Sequence, residues 1–88
     1  MTVEVQAVLF PYDGSRTTEV MEQFESALEA AGVRCVVGNM AISCYGEMTA
    51  VLSAISTAYE DIAASTKCSV SLIIANDMPR IGRKPGSS

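Results

Sequence analysis

The chain is predicted to fold as an α+β domain in which two helices cover one face of a four-stranded sheet. Apolar residues alternate with period two in four short segments, which is typical of half-buried strands. After the first and third of these segments, apolar residues recur every three or four positions, which is typical of amphipathic helices. The resulting order, βαββαβ, is that of ferredoxin-like folds. No linker interrupts it, so we expect one domain over residues 1–79 and a flexible basic tail over 80–88.

Turn residues mark the boundaries of these elements. Pro11 ends the first strand, Gly32 stands where a C-terminal glycine cap of a helix belongs, and Gly38-Asn39 joins the second and third strands as a hairpin. The predicted elements are strands over 2–10, 33–37, 40–45 and 68–75, and helices over 17–31 and 47–65.

Right-handed crossovers predict that both helices lie on one face of the sheet. We expect the strand order 4-1-3-2, with strands 1 and 3 adjacent and parallel. The residues predicted beneath the helices are Val3, Val5, Ala7, Leu9, Met40, Ile42, Cys44, Val70, Leu72 and Ile74.

The opposite, helix-free face is small, apolar and aromatic rather than charged. It is predicted to carry Gln6, Val8, Phe10, Val36, Ala41, Ser43, Tyr45, Ser71, Ile73 and Ala75. A bare patch of this kind is larger than monomers usually expose. We therefore expect a homo-oligomer that covers this face, a ligand groove along it, or both.

Charge and composition exclude several classes of function. The net charge is −4, which does not suit nucleic-acid binding. The one basic cluster, Arg80, Arg83 and Lys84, falls in the tail and is expected to be solvated. No long apolar run and no basic-then-apolar leader is present, so the sequence favours a cytoplasmic protein without a membrane contact.

The cysteines do not form a metal or redox motif. Cys35, Cys44 and Cys68 include no CxxC pair, and the chain has no histidine. We expect no metal and no resident cofactor, and interpret the cysteines as buried small apolar residues.

One corner of the sheet is predicted to be the best small-molecule site. With strands 1 and 3 parallel, Phe10, Pro11 and Tyr12 would lie beside Tyr45 and Gly46 at a shared edge. Both helices would begin at that edge and add partial positive charge.

In addition, the sequence resembles the thiamine-binding YkoF-like family over nearly the whole domain. The resemblance rests on AVLFPYDG at the end of strand 1, ALEAAGVRCVVGN at the end of helix 1, NMAISCYGEMTAVLSAI around strand 3, and a fourth strand at the end. Two positions depart from the family pattern: Ile42 replaces a threonine, and Tyr45 replaces an acidic residue before the glycine.

This resemblance implies an oligomeric protein that binds thiamine or its hydroxymethylpyrimidine moiety without catalysis. Phe10, Tyr12 and Tyr45 would stack on the planar ligand, while Asn39 and Ser43 would hydrogen-bond to its nitrogens. A homodimer or homotetramer would form through the helix-free face.

Two other functions stay open. The chain could be a regulatory or structural oligomeric module, or a subunit of an enzyme that acts on a small metabolite. Asp13, Glu47 and Asp77 are the candidates for acid–base chemistry, although none has a paired partner in the sequence. We expect a binding protein rather than an enzyme.

Overall fold

The computed structural model describes residues 1–38 and 41–76 and confirms the βαββαβ order. Asn39, Met40, Asp77 and the predicted basic tail lie outside the described residues. The elements are β1 (Thr2–Pro11), α1 (Thr17–Ala30), β2 (Arg34–Val37), β3 (Ala41–Glu47), α2 (Met48–Ala63) and β4 (Cys68–Ala75), with a short 3₁₀ turn at Gly14–Arg16 before α1.

The sheet has the predicted strand order, β2-β3-β1-β4, but the predicted direction of one pair is wrong. β1 and β3 are antiparallel, with Thr2 opposite Glu47 and Val8 opposite Ala41. The reason lies in the connections. The crossover through α1 returns the chain to run parallel with β1 as β2, and the β2–β3 hairpin then reverses it. All three neighbouring pairs of strands are antiparallel.

The core lies between the helices and one face of the sheet, as the apolar patterns predict. Along β1 the buried positions alternate strictly, and each helix buries one apolar stripe, as the spacing of three or four positions predicts. The largest fully buried side chains are Phe24, Leu9, Leu28, Ile42, Ile62, Val5, Val20, Val51 and Cys44. Gly32, with φ +83°, ends α1 as expected, and the next N–H, that of Val33, donates to the carbonyl of Leu28 at 3.0 Å.

Two residues predicted beneath the helices are instead partly open to solvent. Leu72 is 40% exposed and Ile74 is 46% exposed. Their ladder partners are Ala7 and Val5, so they do face the helix side, but the helices pack mainly on β1, β2 and β3. The edge strand β4 therefore keeps an uncovered apolar strip along its second half.

Candidate functional site

The helix-free face carries the small, apolar and aromatic residues that the strand patterns predict, but two charged residues on it, Glu4 and Arg34, depart from the prediction of an uncharged face. The cross-strand registers place Val36, Ser43, Gln6 and Ile73 in one row across the four strands. A parallel row beside it contains Arg34, Tyr45, Glu4 and Ala75, and on the other side Ala41, Val8 and Ser71 continue the face. Val36 is 58% exposed and Ile73 is 55% exposed, so both outer strands present large apolar side chains to solvent.

Tyr45 is the centre of the most distinctive group on this face. The Cζ atom of Arg34 lies 5.6 Å from the centroid of the Tyr45 ring, within the range of a cation–π contact. On the other side of Tyr45, Glu4 is its direct cross-strand partner on β1. Tyr45 and Glu4 are both half-buried. An aromatic ring thus lies between a cation and a carboxylate, a set that can hold a planar polar ligand.

The predicted corner that joins all three aromatic residues does not exist. Phe10 is six positions beyond Glu4 on β1, and a strand rises about 3.3 Å per residue, so about 20 Å separates Phe10 from the Tyr45 row. A single small ligand cannot touch both. The two helices also begin at opposite ends of the strands. α1 follows the C-terminal end of β1, and α2 follows the C-terminal end of β3, which runs antiparallel to β1.

The four predicted ligand residues that the structure describes therefore divide between the two ends of the sheet. Phe10 is 45% exposed on the helix-free face, and Tyr12 is 75% exposed just past β1, where its N–H donates to the carbonyl of Lys67 at 2.9 Å. Ser43 lies half-buried opposite Gln6, next to the Tyr45 row. Asn39 lies outside the described residues.

The sequence interpretation missed Glu4 and Arg34 as members of this group. The sequence did indicate the position of Glu4. Like Gln6 and Val8, it is an even-numbered residue of β1, and these residues alternate with the buried, odd-numbered ones and so lie on the helix-free face. Only the antiparallel register, however, places Glu4 beside Tyr45.

Two candidate acid–base residues prove to be helix caps. Hydrogen bonds from the hydroxyl and N–H of Ser15 lower the pKa of Asp13. The pKa of Glu47 is also lowered, first by the hydrogen bond from the N–H of Ala50 and then by that from the amino group of Met1, with the Thr49 N–H adding to the cap. Both carboxylates are ionised at neutral pH, which suits caps and not proton donors.

The Glu47 cap predicts a pH dependence of stability. Since its pKa is lower in the folded chain than in the unfolded chain, the cap stabilises the fold above the ordinary glutamate pKa and loses this effect as the pH falls through the folded value. We expect wild type to be more stable than Glu47→Gln at pH 6, and the gap to close toward pH 3. Urea unfolding across this range measures it. Glu60→Gln, which removes an exposed carboxylate from the same helix, is the control, and an equal pH trend in both variants would contradict the prediction.

Two further features occur on the α1 side of the molecule. A shallow groove of about 350 Å³ runs between the start of α1, including Met21 and Glu22, and the end of β2 at Val37. Further along, the ligand atoms of Glu25, Glu29 and Cys35 lie within 4.8 Å of one another. Exposed acidic groups often cluster without an ion, so we assign no metal to this group.

No helix within the described ranges combines the length and the apolar character that crossing a membrane requires.

Comparison with known proteins supports the fold. No protein-family model and no curated protein matches the chain. A solved structure of a protein from Streptococcus pneumoniae is similar, with a TM-score of 0.79 and 18% identity over 93% of this chain and 94% of that one. A Thermotoga maritima protein provisionally assigned to thiamine biosynthesis or salvage has a TM-score of 0.77 and 16% identity, covering 88% of this chain and 85% of that one.

A domain of unknown function, DUF77, from Bacillus cereus is also similar, with a TM-score of 0.71 and 20% identity over 99% of this chain and 86% of that one. At these identities the likeness establishes the fold: the chain is an α+β domain of the ferredoxin-like class.

Proposed function

We propose that the chain is a small-molecule-binding protein that assembles through its helix-free face and binds thiamine or its hydroxymethylpyrimidine moiety without catalysis. The observation that carries the proposal is the Arg34–Tyr45–Glu4 row, set beside exposed Val36 and Ile73 on the face that no helix covers. The fold likeness to the provisional thiamine-salvage protein supports the choice of ligand.

Assembly follows from the apolar residues on this face. Covering about 600–800 Å² per chain would contribute about 15–20 kcal/mol at about 25 cal/mol/Å², against association costs of about 4–15 kcal/mol. The small residues Ser43, Ala41 and Ser71 allow a second sheet to approach closely. A homodimer or homotetramer is the expected state, and the second chain would also enclose the Tyr45 row, which is open in one chain.

The ligand would bind at the Tyr45 end of the face. The ring of Tyr45 supplies a stacking surface worth about 0.5–1.5 kcal/mol beyond area burial. The Glu4 carboxylate accepts from an amino group, a charge-assisted hydrogen bond worth about 1.5–3 kcal/mol, and Ser43 and Gln6 lie in the next row for the ring nitrogens. The guanidinium of Arg34 lies on the Tyr45 ring, so the ring already accepts a planar cation; a thiazolium ring would take this position in place of the guanidinium.

Phe10 and Tyr12 receive a different role from the one the sequence suggests. Because they lie about 20 Å from the Tyr45 row, we assign Phe10 to the assembly surface and leave Tyr12 outside the ligand site.

Titration of thiamine and of hydroxymethylpyrimidine by calorimetry tests the ligand proposal. We expect binding at or below 1 mM, weakened about tenfold by Tyr45→Ala through lost stacking and about tenfold or more by Glu4→Gln through the lost charge. Tyr12→Ala is the matched aromatic control and should bind as wild type does.

Glu22→Gln is the matched control for charge, since Glu22 lines the α1–β2 groove instead. Loss of binding in Glu22→Gln but not in Glu4→Gln would move the site to that groove. An absence of heat with both ligands at 1 mM, for an assembled protein, would leave the regulatory or structural module as the better function.

A further inference from the structure

A pair of cysteines, on the helix side of the sheet, has no part in the proposed ligand site. Cys35 on β2 and Cys44 on β3 are direct partners in the β2–β3 ladder, and both are free thiols. Cys44 is fully buried in the core, while Cys35 is half-buried at the rim beside α1. A small reagent can therefore reach Cys35 first, with Cys44 directly behind it.

The hydrogen bonds of the β2–β3 hairpin show whether Cys35 and Cys44 form a hydrogen-bonded or a non-hydrogen-bonded pair of the ladder. The N–H of Gly38 donates to the carbonyl of Ala41 at 2.8 Å, so these two residues form a hydrogen-bonded pair. Antiparallel ladders alternate hydrogen-bonded and non-hydrogen-bonded pairs. Counting along the ladder through Val37–Ile42 and Val36–Ser43 makes Cys35–Cys44 a non-hydrogen-bonded pair.

The side chains of a non-hydrogen-bonded pair lie closer together than those of a hydrogen-bonded pair. Their Cα atoms lie about 4.5 Å apart, within the range of about 4.4–6.8 Å that a disulfide spans. Both side chains project from the same face of the ladder, so the pair has the strand register that a cross-strand disulfide requires.

We propose that Cys35 and Cys44 are a thiol-modification site that reacts with a low-molecular-weight disulfide to form an intramolecular cross-strand disulfide. The Cys35 thiolate attacks one sulfur of the reagent, giving a mixed disulfide and releasing one reagent thiolate. Cys44 then loses its proton and attacks the Cys35 sulfur, closing the protein disulfide and releasing the second thiolate. The two protein thiols give up two electrons and two protons, and the reagent is reduced to two thiols.

The surroundings of the pair make this reaction dependent on pH. Burial raises the pKa of Cys35, and the carboxylates of Glu29 and Glu25 on α1, the charged groups that face it, raise it further. Burial, with a smaller effect of Cys35, raises the pKa of Cys44 to about 11. The reactive thiolate of Cys35 is therefore scarcer near neutral pH than that of a free cysteine, so the rate should rise as the pH is raised from 7 to 9.

Reaction with oxidised glutathione, followed by cyanogen bromide cleavage after methionine, tests the proposal. Met40 lies between the two cysteines in the sequence, so cleavage places Cys35 in fragment 22–40, Cys44 in fragment 41–48 and Cys68 in fragment 49–78. We expect fragments 22–40 and 41–48 to become linked, with Cys68 still open to alkylation after unfolding. A link to fragment 49–78, a link between chains, or glutathione adducts alone would overturn the proposal.

One variant separates the two steps of the reaction, and three others serve as controls. Cys44→Ala should stop at the mixed glutathione disulfide on Cys35, and Cys68→Ser should form the protein disulfide as wild type does. Since Cys44 is a core residue, Cys35→Ser at the rim gives a second control in which no link forms. In Glu29→Gln the reaction should be faster at pH 7, and an unchanged rate would show that the α1 carboxylates do not control the pair.

Discussion

Ile73→Glu is expected to convert the assembled protein into monomers. Ile73 is 55% exposed in the single chain and lies in the row of Gln6 and Ser43 on the helix-free face. In a two-fold dimer both copies carry the change, so two carboxylates enter a largely apolar interface. An unpaired buried charge costs about 3–5 kcal/mol, and the dissociation constant should therefore rise by about 1,000-fold or more.

Native mass spectrometry and light scattering at matched concentrations measure this effect. Ile74→Glu is the matched control, because Ile74 is the next residue on β4, is 46% exposed, and faces the helix side. We expect Ile74→Glu to remain assembled. A monomeric wild-type chain would contradict the proposed assembly, and dissociation by Ile74→Glu alone would place the interface on the uncovered strip of β4.

The second large effect is expected from Phe24→Ala, which should lower the free energy of unfolding by about 3–5 kcal/mol. Phe24 on α1 is among the largest fully buried side chains, and its removal leaves a cavity between the helices and the sheet. Small domains are stable by about 5–15 kcal/mol in total. The stability of an 88-residue chain lies toward the lower end of this range. The variant should therefore lose much of its free energy of unfolding.

Urea unfolding of the variant, followed by circular dichroism, measures this loss. Phe10→Ala makes the same chemical change at a side chain that is 45% exposed, and it should cost about 1 kcal/mol or less. Both variants are best compared in the Ile73→Glu background, where assembly adds nothing to stability. Equal losses of unfolding free energy in the two variants would show that the buried Phe24 contributes no more to stability than the half-exposed Phe10.

Much of the fold could be predicted because periodicity reports directly on burial. Alternation in β1 identified Val5 and Leu9 as core residues, and the helical spacing predicted one apolar stripe on each helix, which in α1 contains the buried Phe24 and Leu28. The strand order also followed from the pattern of connections. The direction of β3 was predicted incorrectly, although the hairpin that reverses the chain was itself recognised in the sequence.

That one reversal explains why the candidate site changed. A parallel β1–β3 pair would unite Phe10 and Tyr12 with Tyr45, whereas the antiparallel pair separates them and brings Glu4 to Tyr45 instead. The residue types of a ligand site were visible in the sequence, but their grouping depends on which ends of the strands meet. No local pattern in a single strand encodes that choice.

Local periodicity and turn chemistry predict the element order, the two faces of the sheet and the core side chains of β1 and of the helices. Which residues meet across strands, and which edge stays uncovered, depends on how the elements pack together. The strand register places Glu4 beside Tyr45 and Cys35 opposite Cys44. The positions of the helices leave Leu72 and Ile74 exposed. Those are long-range properties, set by packing between segments that are distant in the chain.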